Sequence, residues 1–373
     1  MIIGSVVEVK PDEKKIALTP SLTRTLTDLG HKVLVQKNLG KNAGFSDSEF
    51  KKNGAEICNT ANEVYSQSDV IVKINQPNAN EYDFLKKNQI IFSFFKFSTK
   101  EDLMNVVLAN KITAVNFANI KNSYGNYPFL KAGSEIVGKT LIRIASSAAE
   151  KYMGGALIGG ATGIAPLKIT VIGAGTVGFN AAKTAAAIGA DVSILDTNPY
   201  LLRKIEENSF SNIKTYFSNR ENLEKLLPDT DILICAVKRS NKKLLPIVTY
   251  DDVKSMKKGS LIIDAGLASD NIVVESMDRV LSAENPIYEN DGIFYFCNPD
   301  IASMAAKTVS AAVAETLVPY ISSVVSNSDF IEALRENREL ISGVMTYDGN
   351  ITDEKTADMF EEEVYELSML TGF

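Results

Sequence analysis

Three glycines near the middle of the chain have the spacing of a phosphate-binding loop. The segment from Lys168 reads KITVIGAGTVGFNAAKTAAAIGADVSILD and places Gly173, Gly175 and Gly178 in a GxGxxG pattern. An apolar run typical of a strand precedes the pattern and an alanine-rich helical run follows it, which is the context this motif requires. The first glycine permits a tight turn, the second lets the backbone approach a pyrophosphate, and the third allows close helix–strand packing.

An acidic residue after the next predicted strand indicates which dinucleotide is bound. Asp196 ends the run DVSILD, eighteen residues after Gly178. A carboxylate at this position accepts hydrogen bonds from ribose hydroxyls, and its charge repels a 2′-phosphate. The sequence therefore predicts NAD rather than NADP, with the pyrophosphate at a helix N-terminus. Predicted cofactor contacts are Gly173, Ala174, Gly175, Thr176, Val177, Gly178, Asp196, Ala236 and Val237.

Composition excludes several other kinds of chemistry. The 373 residues contain one histidine, His31, at a predicted helix–strand junction, so no site built from several histidines is possible. Cys58, Cys235 and Cys297 lie far apart in sequence, which predicts buried thiols in a reducing compartment and no metal site. The formal net charge of -7 argues against a nucleic-acid partner.

The N-terminal residues and the lengths of the apolar runs bear on the cellular location of the protein. The opening MIIGSVVEVK has no basic region and predicts a first strand rather than a signal peptide. We expect no stretch that approaches the roughly 18 apolar residues of a membrane span. A cytoplasmic enzyme without a membrane partner is therefore expected.

Two regions of alternating strand and helix patterns must position these residues. Apolar runs in the first region are IIGSVVEV, KVLVQ, DVIVKI, QIIFSF and ITAVNF, and those in the second are KITVIG, DVSILD, IKTYF, DILICAV and SLIIDA. Helical patterns separate the runs, and the first helix is predicted to open at Thr19 and Pro20. This alternation predicts an α/β fold with mostly parallel sheets.

The order of the segments predicts a discontinuous first domain. A long alanine-rich helix after about residue 300 is expected to return the chain to that domain, and the last fifty residues are predicted to be helical. We therefore expect two Rossmann-like domains with parallel sheets. The NAD-binding domain, residues 131–299, is inserted into a substrate domain formed by residues 1–130 and 300–373.

The chain as a whole resembles the alanine dehydrogenase family, which includes the N-terminal region of the transhydrogenase α-subunit. The resemblance covers about residues 1–325 and rests on segments such as EKKIALTP, FSDSEFKKNGAEI, SDVIVKINQP, SEIVGK, YFSNRENL, VKSMKKGSLIID and TLVPY. More distant relatives are opine-forming carboxyethylornithine synthases and saccharopine dehydrogenases. The resemblance implies NAD-linked oxidation of an amino acid to a 2-oxo acid and ammonia, or the reverse, in a homo-oligomer.

The resemblance also indicates residues around the substrate, and this chain departs from the family at several of them. Lys15 stands where the family has a substrate-binding arginine, and Lys73 matches its substrate-binding lysine. Lys96 replaces the family's catalytic histidine. Ala268 stands where the family has an acid, which makes Asp270, two residues later, the candidate replacement.

These positions lead to a hypothesis for catalysis. Lys15 and Lys73 are expected to bind substrate carboxylates, and Lys73, Lys96 and Asp270 are the candidate catalytic residues. If the lysines converge, like-charge repulsion lowers their pKa values, and one of them then donates a proton. Alternatively, Lys15 and Lys96 are solvated surface side chains without a role in catalysis. Ser134, in SEIVGK, is expected to contact the nicotinamide side of the cofactor or to be a helix N-cap.

Three functions remain open from the sequence. The first is an NAD(H)-dependent amino-acid dehydrogenase that uses ammonia. The second is an opine- or saccharopine-type imine reductase that joins an amine to a 2-oxo acid, which the missing histidine and acid favour. The third is a protein that binds NAD(H) without turnover. A requirement for an amine other than ammonia separates the second from the first.

Overall fold

The chain folds into two compact α/β units. The computed structural model describes residues 1–97, 101–208, 211–237, 245–266, 273–277 and 279–371. One unit comprises Met1–Gly133 and Ala306–Phe373, and the other comprises Ser134–Ala305. The second unit is therefore an insertion in the first, which makes the first unit discontinuous, as the sequence predicts.

Strands alternate with helices through most of the chain. The strands of the described segments are β1 Ile2–Ser5, β2 Lys32–Gln36, β3 Glu56–Cys58, β4 Val70–Asn75, β5 Ile90–Phe94, β6 Thr113–Asn116, β7 Lys168–Ile172, β8 Asp191–Asp196, β9 Ile213–Phe217, β10 Ile232–Cys235, β11 Leu261–Asp264, β12 Ile287–Asn290, β13 Ile293–Phe296, β14 Val344–Tyr347 and β15 Asn350–Ile351. Most of them are apolar throughout and buried, because helices cover both faces of a parallel sheet.

The helices vary widely in length. They are α1 Pro20–Asp28, α2 Asp47–Lys52, α3 Ala61–Gln67, α4 Glu101–Ala109, α5 Pro128–Tyr152, α6 Thr176–Ala187, α7 Pro199–Asn208, α8 Arg220–Leu226, α9 Tyr250–Ser255, α10 Ala306–Ser326, α11 Phe330–Glu336, α12 Glu354–Phe360 and α13 Ser368–Thr371. Thr19 caps α1 by accepting a hydrogen bond from the backbone N–H of Leu22, and Pro20 occupies the first helical position. The predicted start of α1 is therefore confirmed.

The first unit contains an eight-stranded sheet in the order β15-β14-β6-β5-β4-β1-β2-β3. Strands β1 to β6 are parallel, whereas β14 runs antiparallel to β6 and β15 antiparallel to β14. Its parallel part has the order 3-2-1-4-5-6 of a doubly wound dinucleotide-binding sheet. The strand order reverses between β1 and β4, and such a switch point opens a crevice at the carboxyl ends of the two strands.

The second unit repeats this topology. Its seven strands lie in the order β12-β13-β11-β10-β7-β8-β9, and all of them are parallel except β12, which pairs antiparallel with β13. Counted from β7, the parallel strands again follow the order 3-2-1-4-5-6. The prediction of two Rossmann-like domains is confirmed, with the correction that each sheet carries antiparallel strands at one edge.

The C-terminal segment differs from its helical prediction. Strand β14 extends the first sheet beside β6, where the hydroxyl of Thr346 donates to the carbonyl of Ile112 over 2.8 Å and accepts from the N–H of Ala114 over 3.2 Å. Short strands at a sheet edge carry little apolar periodicity, so the acidic pattern around them dominates the sequence signal.

Helix α10 and the turn before it, Ile301–Ser326, are long and apolar enough to cross a membrane. The expectation that no segment approaches this composition is therefore wrong. However, 56% of the apolar window is buried inside the protein. Val313, Leu317 and Ile321 lie in the core, and α10 packs against α1 and α11. These contacts are those of a core helix of a soluble protein.

Candidate cofactor and substrate sites

The three motif glycines of the second unit each occupy a position with a separate physical demand. Gly173 has a φ of 100°, and a Cβ atom there would lie 2.6 Å from the carbonyl oxygen of Ala236. A Cβ on Gly178 would lie 1.8 Å from the carbonyl oxygen of Gly173, so α6 packs too closely for any side chain. At Gly175, by contrast, no atom lies within 4 Å of a Cβ. The loop is thus closely packed at Gly173 and Gly178 and faces open space at Gly175.

A cavity of about 410 Å³ opens in front of this loop. Most of the predicted cofactor contacts line it: Ser134, Gly173, Gly175, Thr176, Val177, Asp196, Ala236 and Val237. Of the other two, Ala174 hydrogen-bonds to Asp196, and Gly178 forms the close helix contact described above. The structure therefore brings the predicted cofactor residues of β7, α6, β8 and β10 together around one space.

The N-terminus of α6 faces the front of the loop. Gly175 is its N-cap and has no side chain to accept a hydrogen bond from the first turn. Free backbone N–H groups and the partial positive charge of the helix dipole remain there, and both attract a phosphate group. An added side chain at Gly175 would project into open space instead of into protein. The loop thus has the shape and charge of a pyrophosphate cradle.

Asp196 connects the end of β8 to the glycine loop. One carboxylate oxygen accepts from the N–H of Ala174 over 2.6 Å, and the other accepts from the N–H of Asn198 over 2.8 Å. Each carboxylate oxygen can accept a second hydrogen bond, which suits a pair of ribose hydroxyls. No lysine or arginine appears among the described residues that line the cavity. The site therefore fits NAD better than a cofactor with a 2′-phosphate.

Ser134 lies inside a helix rather than at its start. Helix α5 begins at Pro128, so Ser134 is in the second turn and the N-cap alternative is wrong. Its position on the cavity wall agrees with the other expectation, contact with the cofactor. The sequence pattern placed the helix start near Gly133 because the preceding residues, Pro128 to Lys131, carry little helical periodicity.

A second cluster of polar side chains lies at the switch point of the first unit. Glu8, in the segment after β1, accepts hydrogen bonds from the backbone N–H groups of Ile74 over 2.6 Å and Asn75 over 3.2 Å. The side-chain amide of Asn75 also donates to Glu8 over 3.2 Å. Burial raises the pKa of Glu8 to about 7, against the opposing effects of the Lys73 charge and of these hydrogen bonds. The sequence analysis did not identify Glu8.

Lys15 joins this cluster through Glu13. The Nζ atom of Lys15 lies 2.9 Å from Oε1 of Glu13, and the Lys15 side chain is only 11% exposed. The other carboxylate oxygen of Glu13 accepts from the amide nitrogen of Asn75 over 3.1 Å. Lys15 is thus mostly buried beside this cluster and is not a solvated surface lysine.

Lys73 occupies a different environment from the one expected. Its side chain is 0% exposed, and its Nζ atom lies 2.6 Å from Oε1 of Glu81. The hydroxyl of Tyr65 donates to the same oxygen over 2.9 Å, and the N–H of Asn78 donates to the other Glu81 oxygen over 3.0 Å. Burial and the Glu81 charge raise the pKa of Tyr65 well above its usual value. This geometry favours a positioning role for Lys73 over the predicted substrate contact, which stays a prediction.

Lys96 follows β5 and has an exposed side chain. Its backbone N–H donates to the side-chain oxygen of Gln76 over 2.5 Å, which ties the ends of β4 and β5 together. The flanking rings of Phe95 and Phe97 are buried and stack with centroids 4.9 Å apart. Lys15 and Lys73 each lie against a carboxylate, Glu13 and Glu81, and the convergence of the three lysines stays a hypothesis.

The remaining predicted catalytic position lies beyond the described residues. Ala268 and Asp270 both belong to the segment 267–272, which the structure does not describe. Asp264, at the end of β11, accepts from the N–H groups of Gly266 over 2.7 Å and Val273 over 3.2 Å, on either side of that segment. Burial raises the pKa of Asp264 to about 6. The sequence analysis did not identify this buried acid.

Comparison with known proteins agrees with this architecture. The family description "Alanine dehydrogenase/PNT, N-terminal domain" matches residues 4–137, and "Alanine dehydrogenase/PNT, C-terminal domain" matches residues 142–354. The alanine dehydrogenase of Methanococcus maripaludis is 32% identical over 359 residues, 96% of each chain. That of Staphylococcus epidermidis is 30% identical over 365 residues, 97% of this chain and 98% of the relative.

Solved structures give the same result. An L-alanine dehydrogenase superimposes with a TM-score of 0.89 at 27% identity, covering 97% of this chain and 99% of that one. The transhydrogenase from Sinorhizobium meliloti, at 20% identity, has the same fold with a TM-score of 0.80 over 95% of this chain and all of that one. Both family descriptions and the full-length relatives at 30% and 32% identity agree, and the chain belongs to the alanine dehydrogenase/PNT family.

Proposed function

We propose that this chain is an NAD(H)-dependent amino-acid dehydrogenase that interconverts L-alanine with pyruvate and ammonia. The observation that carries the proposal is the full-length similarity to alanine dehydrogenases, which extends over both units. The cavity in front of the GxGxxG loop supports it, because its shape and charge suit NAD. The departures at Lys15 and Lys96 alter single side chains on a retained scaffold.

The residues of the second unit have separate tasks in cofactor binding. NAD, when bound, supplies the acceptor or donor of the hydride. The N–H groups at the start of α6 hold the pyrophosphate, and Asp196 holds the adenosine ribose. Ser134, Ala236 and Val237 line the rest of the cavity and bind the remainder of the dinucleotide.

The switch-point crevice of the first unit is the proposed substrate site. Lys15 supplies the positive charge for the substrate carboxylate, although a lysine lacks the bidentate fork of an arginine. Lys73 acts through Glu81 by fixing the turn 79–84 that follows β4. Lys96 and Asp270 remain the proposed proton-transferring residues, and Glu8, with its pKa of about 7, is a further candidate.

The two alternatives are less well supported. The curated relatives described above are named alanine dehydrogenases, and none of those names indicates an imine reductase or a protein without catalysis. An opine- or saccharopine-type reaction is therefore not favoured. We further propose a cytoplasmic location and assembly into a homo-oligomer.

The test is NADH oxidation by the purified full chain with pyruvate, offered first with ammonia and then with a panel of amino acids as amines. We expect turnover with ammonia, and at least tenfold lower kcat/KM with NADPH in place of NADH. A matched Gly175→Val variant should fold and lack turnover, which assigns the activity to this cofactor site. Turnover only with an amino acid as amine, or tight NADH binding without any turnover, would refute the proposal.

A further inference from the structure

The side-chain amide of Asn75, at the end of β4, is held by two carboxylates. Its nitrogen atom donates to Oε2 of Glu8 over 3.2 Å and to Oε2 of Glu13 over 3.1 Å. An ionised carboxylate can only accept hydrogen bonds, and Glu13 is ion-paired with Lys15, so its contact with Asn75 distinguishes the amide nitrogen from the oxygen. Both amide protons are committed to glutamates, and the carbonyl oxygen Oδ1 must point away from them.

The Oδ1 atom has no donor within the described part of the chain. The hydrogen bonds of Asn75 run from its two nitrogen atoms to Glu8 and Glu13, and its Oδ1 atom accepts none from those residues. Asn75 is partly exposed, and it is the last residue of β4, which pairs with β1 at the strand-order reversal. Ligands of doubly wound sheets bind at this point. An oriented acceptor therefore stands in the proposed substrate crevice.

The charges around the amide favour a ligand that carries N–H groups. The carboxylates of Glu8 and Glu13 polarise the amide and strengthen the carbonyl as an acceptor. Lys15 balances the charge of Glu13, so the ionised form of Glu8 supplies the negative potential on this side of the crevice, which repels a carboxylate and attracts an ammonium or iminium group. The keto oxygen of a 2-oxo acid has no proton to donate. Lys15, which contacts Glu13, supplies the positive charge for the carboxylate of the 2-oxo acid.

We propose that Oδ1 of Asn75 accepts a hydrogen bond from the nitrogen of the substrate, so that Asn75 determines specificity for the amine and not for the 2-oxo acid. Glu8 and Glu13 orient the amide by accepting from its nitrogen, whichever residue transfers the proton. This inference rests on the proposed function and adds the recognition of the amine to it. It also divides the crevice into a carboxylate side at Lys15 and a nitrogen side at Asn75.

The test separates the two substrates of reductive amination. The variant Asn75→Leu keeps the branching of the side chain at Cγ and removes the acceptor together with the two donated hydrogen bonds. Asn62→Leu, at an exposed position on α3, is the matched control. We expect Asn75→Leu to raise the KM for ammonia about tenfold, the effect of losing one hydrogen bond to a charged group. The KM for pyruvate and the Kd for NADH should change less than twofold, and the control should match the wild type.

The contrary outcomes are distinct. A rise in the KM for pyruvate with an unchanged KM for ammonia would overturn the inference, as would equal rises in both. If Asn75→Leu does not fold, Asn75→Ser keeps a smaller acceptor and should raise the KM for ammonia by less than Asn75→Ala does. An equal effect of Ser and Ala would also refute it. If the wild-type chain shows no turnover with ammonia, both the proposed function and this inference fail; if only the variants behave unexpectedly, the function stands alone.

Discussion

Replacement of Glu8 by glutamine should change how the stability of the first unit depends on pH. In the folded chain burial raises the pKa of Glu8 from 4.5 to about 7. The folded state therefore binds a proton between these two values that the unfolded state has released. Stability from this group is fully present below pH 4.5 and is lost as the pH rises through about 7.

The magnitude follows from the difference between the two pKa values. About 1.4 kcal/mol per pH unit gives a loss of at most about 3 kcal/mol between pH 4.5 and 8, and partial exposure of Glu8 reduces it. The charges nearest to Glu8 are Lys73, with its partner Glu81, and Glu13, with its partner Lys15. The Lys73 charge lowers the pKa of Glu8, and the larger effect of burial outweighs it.

The assay is thermal unfolding of wild type and Glu8→Gln at intervals from pH 5 to 8.5. Glutamine cannot lose a proton, so the variant should lose several degrees less than the wild type between the ends of this range. Altered hydrogen bonds to Ile74 and Asn75 shift the melting temperature of the variant by the same amount at every pH. This shift cancels when the change in melting temperature across the pH range is compared between the two proteins. Parallel curves for the two proteins would show that Glu8 titrates near its ordinary value and would refute the reasoning.

Four further substitutions test the remaining assignments. Gly175→Val should leave the melting temperature within about 2 °C of wild type but raise the Kd for NADH more than tenfold. Gly178→Ala should lower the melting temperature by several degrees, since its Cβ would lie 1.8 Å from a carbonyl oxygen. Calorimetry measures the melting temperatures and NADH fluorescence the Kd values, and equal effects of the two variants would contradict the assignment. Asp196→Ser should shift the ratio of kcat/KM for NADH over NADPH about tenfold toward NADPH, and an unchanged ratio would count against its ribose role. Lys73→Met should destabilise the chain by about 3–5 kcal/mol in denaturant unfolding, because it leaves Glu81 buried and unpaired. If Lys73 instead binds substrate, that variant keeps its stability and loses affinity for pyruvate.

The geometry of the glycine loop at the candidate cofactor site was largely predictable because its signal is local. Gly173, Gly175 and Gly178 are fixed by backbone demands within one turn, and the strand and helix around them are continuous apolar or alanine-rich runs. Strands buried on both faces show the same local signal. The antiparallel strands β12, β14 and β15 have only two to four residues, which is too short for a clear alternation of apolar and polar residues in the sequence.

The substrate crevice was less predictable because its contacts are not local. Glu8 and Asn75 are separated by 67 positions, and Glu13 and Asn75 by 62. Nothing in the local sequence of either segment reveals that they meet. Lys73 illustrates the same limit, since a lysine near the end of an apolar strand faces either the crevice or a buried partner. Only the turn 79–84, which carries Glu81 back beneath β4, decides between the two.

Among the described residues, the ion pairs around the proposed substrate site leave Glu8 as the acid without a lysine partner of its own. Lys15 is balanced by Glu13, and Lys73 is balanced by Glu81, so the negative charge of Glu8 is the least compensated of the group. Burial raises the pKa of Glu8 to about 7. A carboxyl group with a pKa in this range can both donate and accept a proton at the pH of the cell. The first unit therefore contains a carboxyl group whose pKa of about 7 suits proton transfer near neutral pH. A pH–rate profile of Glu8→Gln that lacks an ionisation near 7, while that of Lys96→Ala retains it, would assign the missing proton-transfer function to Glu8; the reverse pattern would assign it to Lys96.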